Sequence, residues 1–188
     1  MIGVLITTSP THMHCIRKAV EPFKKTDFPI LIGWDGKGID REVFGIETFA
    51  TGKRLGKQFG ELHQIHIGAE LLAGKGCDYV FKTCGDIYVG KPELIEELPS
   101  MLGYNTFICS KWHLKENIFG TQVFFGRIGP LIGIARYAER LARESEEHIE
   151  FLYTKAIKKF GYFYDVQDDI DDNGEEKLWK WYLKCKAL

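Results

Sequence analysis

The stretch Cys77-Asp-Tyr-Val-Phe-Lys-Thr-Cys-Gly-Asp-Ile-Tyr-Val89 decides how the chain is read. From Asp78 to Thr83, aromatic and β-branched residues alternate with little charge, the pattern of a strand covered on both faces. Gly85 then permits a sharp turn, and Asp86 presents a carboxylate just past the strand end. Ile87 and Val89 resume extended structure until Gly90-Lys91-Pro92 stops it. In open α/β sheets, ligands bind beyond the carboxyl ends of the strands. An acidic residue there is placed to hold a divalent metal and, through it, phosphates. Taken alone, the same turn also reads as a simple capped loop with a solvated Asp.

The flanking segments supply the rest of an α/β unit. Ile2 to Thr7 is a short buried strand that ends in the hydroxyl-rich turn Thr7-Thr8-Ser9-Pro10-Thr11. Ile16, Ala19, Val20 and Phe23 recur at helical spacing between His12 and Phe23. Pro29 to Trp34 is a second strand, closed by Asp35-Gly-Lys-Gly38. Strand, helix and strand joined by short loops form a parallel βαβ unit. Residues 36–57 read as an irregular surface loop rich in glycine and lysine, without Walker A spacing. A helix follows from Lys57 to Gly74, with Phe59, Leu62, Ala69, Leu72 and Ala73 on one stripe.

Beyond the central stretch the pattern predicts a short helix over 92–102 and strands at 106–110 and 119–127. It then predicts a helix over 130–143, a second that begins after Ser145-Glu146-Glu147 and runs to Phe160, a strand at 162–166, and a final helix over 175–186. Neither a linker nor a repeat interrupts the chain, so residues 1–188 read as one domain. A net charge of −1 gives no basic excess for binding nucleic acid. Five cysteines without a Cys-x-x-Cys argue against a disulfide or zinc framework and for a reducing, cytoplasmic setting. No apolar run approaches the roughly 20 residues of a membrane-spanning helix.

Thr7-Thr8-Ser9 after the first strand, Asp35 after the second, Asp86 after the central one and Glu146-Glu147 before a late helix form an ordered set. In this order the chain resembles the GT-A glycosyltransferases. The most specific similarity is Asp78-Tyr-Val-Phe-Lys-Thr-Cys-Gly-Asp-Ile-Tyr-Val89, which looks like that group's strand followed by Asp-x-Asp. A second is Glu146-Glu147-His-Ile-Glu-Phe-Leu-Tyr-Thr-Lys-Ala-Ile-Lys-Lys-Phe-Gly161, which looks like the group's acidic pair, helix and glycine.

The resemblance implies a Rossmann-like α/β fold with a mostly parallel central sheet flanked by helices. It implies transfer of a sugar from a nucleoside diphosphate donor to a glycan or other hydroxyl acceptor. Under it, Thr7, Thr8, Ser9, Asp35, Lys53, Lys57, Gly85 and Asp86 would contact the donor. Asp86 would hold Mn²⁺ or Mg²⁺, and Glu147, or else Glu146, would deprotonate the acceptor. A nucleotidyltransferase and a non-catalytic nucleotide-sugar binding module are the alternatives.

The chain departs from that pattern at Cys84, which stands where the first Asp of Asp-x-Asp would be. A thiol is a poor ligand for hard cations, which leaves Asp86 alone on the protein side. Ser145 with Glu146 and Glu147 equally suits helix capping and the helix dipole. His63-x-x-His66 lacks the Glu of His-Glu-x-x-His and reads as a pair of ordinary helix histidines, His66 partly buried with a hydrogen bond. Asp169-Ile-Asp171-Asp-Asn173-Gly174 starts like a calcium loop, but Lys180 occupies its twelfth position, so it reads as an acidic turn.

Overall fold

The computed structural model describes residues 1–37, 42–53, 55, 57–111, 117–167 and 182–184. Its strands are β1 (Ile2–Thr8), β2 (Ile30–Trp34), β3 (Glu42–Val43), β4 (Ile46–Ala50), β5 (Tyr79–Cys84), β6 (Ile87–Val89), β7 (Phe107–Lys111), β8 (Phe119–Arg127), β9 (Tyr164–Gln167) and β10 (Tyr182–Lys184). The helices are α1 (Met13–Val20), α2 (Lys57–Gly74), α3 (Leu98–Met101), α4 (Ile128–Ala142) and α5 (Ile149–Lys159).

Eight strands form one sheet in the order β3-β4-β2-β1-β5-β8-β7-β9. Strands β4, β2, β1 and β5 run parallel to one another, as do β7 and β9, whereas β3 is antiparallel to β4 and β8 is antiparallel to both β5 and β7. This is a mixed, mostly parallel α/β sheet flanked by helices.

Alternation along β1 shows why both faces are covered. Leu5 enters an apolar cluster with Leu62, Ile65 and Leu72 of α2, Ile134 of α4 and Leu152 of α5. Val4 and Ile6 enter a second cluster with Ile16 and Val20 of α1, Phe23 and Leu98. Successive side chains of a strand point to opposite faces, so an unbroken apolar run fits a strand buried on both. Helices α2 and α5 stop at glycines. At the end of α5, Gly161 N–H donates to Lys158 O (3.1 Å) and Tyr162 N–H to Ile157 O (3.1 Å). Gly161 takes a φ of 70° there, the left-handed stop that glycine adopts without strain.

Three sequence expectations are corrected. Within 36–57, Ile46-Glu-Thr-Phe-Ala50 is a strand pairing parallel with β2, because its alternating residues fit a half-buried sheet margin. The cap of α5 is also corrected: the helix starts at Ile149, after Ser145-Glu146-Glu147 as expected, but its N-cap is His148 and not Ser145. Ser145 Oγ instead accepts the Glu147 N–H at 3.1 Å, closing a turn ahead of the helix. Finally, Tyr182–Lys184, expected within a helix over 175–186, pairs antiparallel with β6. A short aromatic run satisfies an open strand edge as readily as a helix face. The acidic turn at 169–174 lies outside the described residues.

Phe119 anchors the start of β8. Its ring meets Phe107, Phe124, Tyr153 and Tyr164 with centroids 5.3–5.7 Å apart, and none of it is exposed. Phe119→Ala should therefore cost about 3–5 kcal/mol of stability by urea denaturation. A loss below about 1 kcal/mol would show that β8 is held by other contacts.

Candidate functional site

The connection from β1 goes to β2 on one side, and the chain later returns to place β5 on the other side of β1. The β1/β5 seam is thus the point where strand order reverses, and in open α/β sheets the ligand crevice lies outside the carboxyl ends of such a pair. Thr7 pairs with Cys84 across the seam, and Gly85 N–H donates to Thr7 O at 2.8 Å. A methyl group on Gly85 would lie 2.5 Å from Thr8 Oγ1, so only glycine lets the turn settle against Thr8. The sequence-predicted residues Thr7, Thr8, Gly85 and Asp86 are therefore brought together.

Three buried polar atoms at this edge have no hydrogen-bond partner among the described residues: Thr8 Oγ1, Thr83 Oγ1 and Trp34 Nε1. They belong to the ends of three adjacent parallel strands, with Thr8 opposite Trp34 in register. Buried polar groups are nearly always paired, so a water or the polar group of a ligand could satisfy this row.

Asp35 lies deeper than its turn sequence suggests, at 4% exposure. Its Oδ1 accepts Leu55 N–H (2.9 Å) and the Thr51 hydroxyl (3.3 Å), and its carboxylate abuts Gly60 in the first turn of α2. It holds the loop before α2 and sits where a negative charge favours a helix start. Ser9 Oγ pairs with Thr11 Oγ1 at 2.7 Å. Lys53 is exposed, and its backbone carbonyl accepts from Thr51 at 2.7 Å. Lys57 opens α2, and its side chain falls outside the described residues.

Sequence reading missed the group at the centre of the site. Lys82, fully buried in β5, donates to Glu61 Oε1 of α2, to Thr121 O of β8 at 2.5 Å and to Cys84 Sγ at 3.2 Å. Burial works against the ammonium, but Cys84 and Glu61 beside it outweigh that and hold its pKa above the ordinary lysine value. Burial pushes the Cys84 thiol up to about 11, against the pull of Lys82. The thiol also contacts Thr7 Oγ1 (3.8 Å) and Gln122 O (3.5 Å). The signal was present: a lysine inside an otherwise apolar central strand requires an internal partner.

From Thr121 the network continues outward. The Thr121 hydroxyl donates to Glu150 Oε1 at 3.0 Å, and Glu150 Oε2 is in contact with His148 Nδ1. Glu150 is 3% exposed, whereas half of the His148 side chain is open. Because β8 is antiparallel to β5, its residues 119–123 project past the last paired position, Lys82↔Phe124, toward the edge where β5 ends. Glu150 and His148 therefore stand on the crevice side. Glu146 is exposed ahead of α5, and both oxygens of Glu147 meet Lys155 Nζ at 2.5–2.6 Å.

A hard divalent cation fits this turn on one side only. Asp86 offers a carboxylate of the right chemistry, while Cys84 is a protonated thiol clasped by an ammonium.

No family model matches the chain, and no curated protein matches it either. Its structure is similar to a crystal structure from Desulfovibrio desulfuricans G20 whose protein carries the provisional name nucleotide-diphospho-sugar transferase. The TM-score is 0.61 at 10% identity, over 89% of this chain and 80% of the other. That likeness shows the fold. No described helix is long and apolar enough to cross a membrane.

Lys82→Met should destabilise the protein by about 3–5 kcal/mol, since Glu61 would lose its buried partner. Lys82→Met/Glu61→Leu should recover most of that loss in urea denaturation; no recovery would mean the pair is not the dominant interaction. The thiol adds a pH signature. Between its ordinary value of 9.0 and about 11, the unfolded chain loses the Cys84 proton while the folded chain keeps it. Its contribution is complete below pH 9 and is lost as pH rises through about 11. Cys84→Ala should flatten that alkaline decline in thermal melts.

Proposed function

We propose that this chain moves a glycosyl group from a nucleoside diphosphate donor to an acceptor hydroxyl. The observation that carries the reading is the row of buried, unpaired polar atoms of Thr8, Thr83 and Trp34 at the β1/β5 reversal, beside the Cys84-Gly85-Asp86 turn. The similarity in fold to a protein named as a nucleotide-diphospho-sugar transferase supports it. Thr7, Thr8 and Ser9 would meet the donor's base and ribose, with Asp35 shaping that wall from behind. Asp86 would hold Mn²⁺ or Mg²⁺, which supplies positive charge to the departing diphosphate. Lys53 and Lys57 would add charge from the loop before α2.

For the acceptor proton, the geometry favours His148 over Glu147 and Glu146. A general base needs a side chain accessible from solvent and an orienting partner. His148 is half exposed and its Nδ1 is held by the buried Glu150, whereas Lys155 occupies both oxygens of Glu147. His148 takes the hydroxyl proton, and Glu150 fixes the ring and stabilises the imidazolium.

A binding module without catalysis is the second reading, favoured by Cys84, which removes one hard ligand from the turn. Product analysis separates the cases. Released nucleoside diphosphate supports transfer, released pyrophosphate means a nucleotidyltransferase, and unchanged donor means binding alone. Asp86→Asn should abolish the metal-dependent part of nucleoside diphosphate binding in calorimetry while the fold persists; equal binding with Mn²⁺ or chelator in both proteins removes Asp86 from a metal site. His148→Gln should lower turnover about 10²–10⁴-fold with donor affinity retained. If Glu147→Gln does so instead, the base is Glu147.

A further inference from the structure

Two histidines of α2 and one glutamate of α4 meet on the helical side of the sheet, apart from the Asp86 turn. His63 Nδ1 lies 3.0 Å from Glu139 Oε1, and His66 Nδ1 lies 3.2 Å from Glu139 Oε2. One donor atom from each of the three falls within 4.8 Å of the others. We propose that His63, His66 and Glu139 form a binding site for a zinc-type divalent transition cation that clamps α2 to α4.

The donor chemistry selects the cation class. Imidazole suits zinc and its neighbours, and two histidines with a carboxylate leave a fourth position for water or another ligand. Zinc–ligand bonds of about 2.0–2.1 Å put tetrahedral donors about 3.3 Å apart. Each histidine stands near that distance from one oxygen of Glu139, 3.0 Å for His63 and 3.2 Å for His66, so small shifts of the side chains would bring one atom of each onto a shared ion.

The surroundings supply three further properties expected of a metal site. First, the far nitrogen of His66 is fixed: Nε2 pairs with Glu70 Oε1 at 3.2 Å, and Arg136 grips the same oxygen at 2.7 Å. A carboxylate on the outer nitrogen orients a ligating histidine and raises its basicity. Second, His66 Nδ1 is buried and makes no aligned hydrogen bond, despite its closeness to Glu139. A lone pair aimed beside the carboxylate rather than at it suits a shared ion. Third, there is a way in. His63 keeps a third of its side chain open, and Glu139 also lines a cleft of about 440 Å³ with Arg136, Arg140 and Arg143. Glu139 itself is only 10% exposed, and a carboxylate so placed needs a compensating cation.

Full-length protein stripped with chelator and titrated with Zn²⁺ should bind one equivalent. Its melting temperature should rise by about 5–10 °C at free zinc a hundredfold above the dissociation constant. Affinity should fall more than about 100-fold in His63→Ala/His66→Ala and in Glu139→Gln, and about 10–100-fold in Glu70→Gln. Asp86→Asn should bind zinc as the wild type does, which keeps the two sites apart. Co²⁺ on the wild-type protein offers a readout that depends on no variant: visible bands of a tetrahedral nitrogen–oxygen site without thiolate charge transfer. Absence of zinc binding, undiminished binding in the double histidine variant, loss of binding in Asp86→Asn, or a thiolate–cobalt band would each overturn the assignment.

Discussion

A full positive charge in the middle of the central strand constrains everything around it. Lys82 sits in β5 with no exposed surface, so its ammonium must exchange water for protein partners. Glu61, the Thr121 carbonyl and the Cys84 thiol supply them, and they come from α2, β8 and β5 itself. Helix α2 has to begin early enough to deliver Glu61, which requires the loop before it to be held down. Asp35 does that through Leu55 and Thr51, and Gly60 provides the clearance. On the other side, β8 has to run antiparallel so that its opening residues pass the end of β5. The ion pair and the mixed sheet topology are therefore one arrangement.

The same clasp explains the residue that departs from the Asp-x-Asp pattern. A carboxylate at position 84 would stand 3.2 Å or so from the Lys82 ammonium and compete with Glu61 for it. It would also add a third negative group beside Glu61 and Asp86, whose charges already disfavour the thiolate of Cys84. A neutral thiol fills the space, accepts from Lys82 and leaves the charge balance intact. Cys84 thus belongs to the interior network, while Asp86, one turn further out, keeps the carboxylate at the edge.

Much of this fold was legible because its strands are apolar runs and helices α2 and α5 stop at glycines. The bounds of α2 and β8 follow from the sequence, as do the Gly161 stop and the glycine turn after β5. Strand β4 was obscured because it is short and only half-buried and glycine and lysine surround it. The site was legible only as far as residues follow strands directly. Thr7, Thr8, Gly85 and Asp86 could be placed together on that basis. The Lys82–Glu61 pair spans α2 and β5, and Glu150 meets Thr121 across 29 positions. Spacing along the chain does not encode such meetings. The pair His63-x-x-His66 shows the same limit: its third partner, Glu139, comes from α4.

Helix α2 carries charged work on two faces, and Tyr153 stands between them. One face gives Glu61 to Lys82, and the other gives His63 and His66 to Glu139. The Tyr153 hydroxyl of α5 is buried with no hydrogen-bond partner among the described residues, and its pKa is pushed well up by burial and by the charges of Glu61 and Glu139. That double influence places it within electrostatic reach of both clusters. A cation at the α2–α4 seam would neutralise Glu139, and its field would extend over Tyr153 toward Glu61. Binding there stabilises the native chain by mass action whatever α2 does. It alters the β1/β5 edge only if the ion distinguishes two positions of α2, since a ligand shifts an equilibrium by its differential affinity for the two states and by nothing else. The clamp is thus first a contribution to stability, and regulation would require a second position of the helix that delivers Glu61.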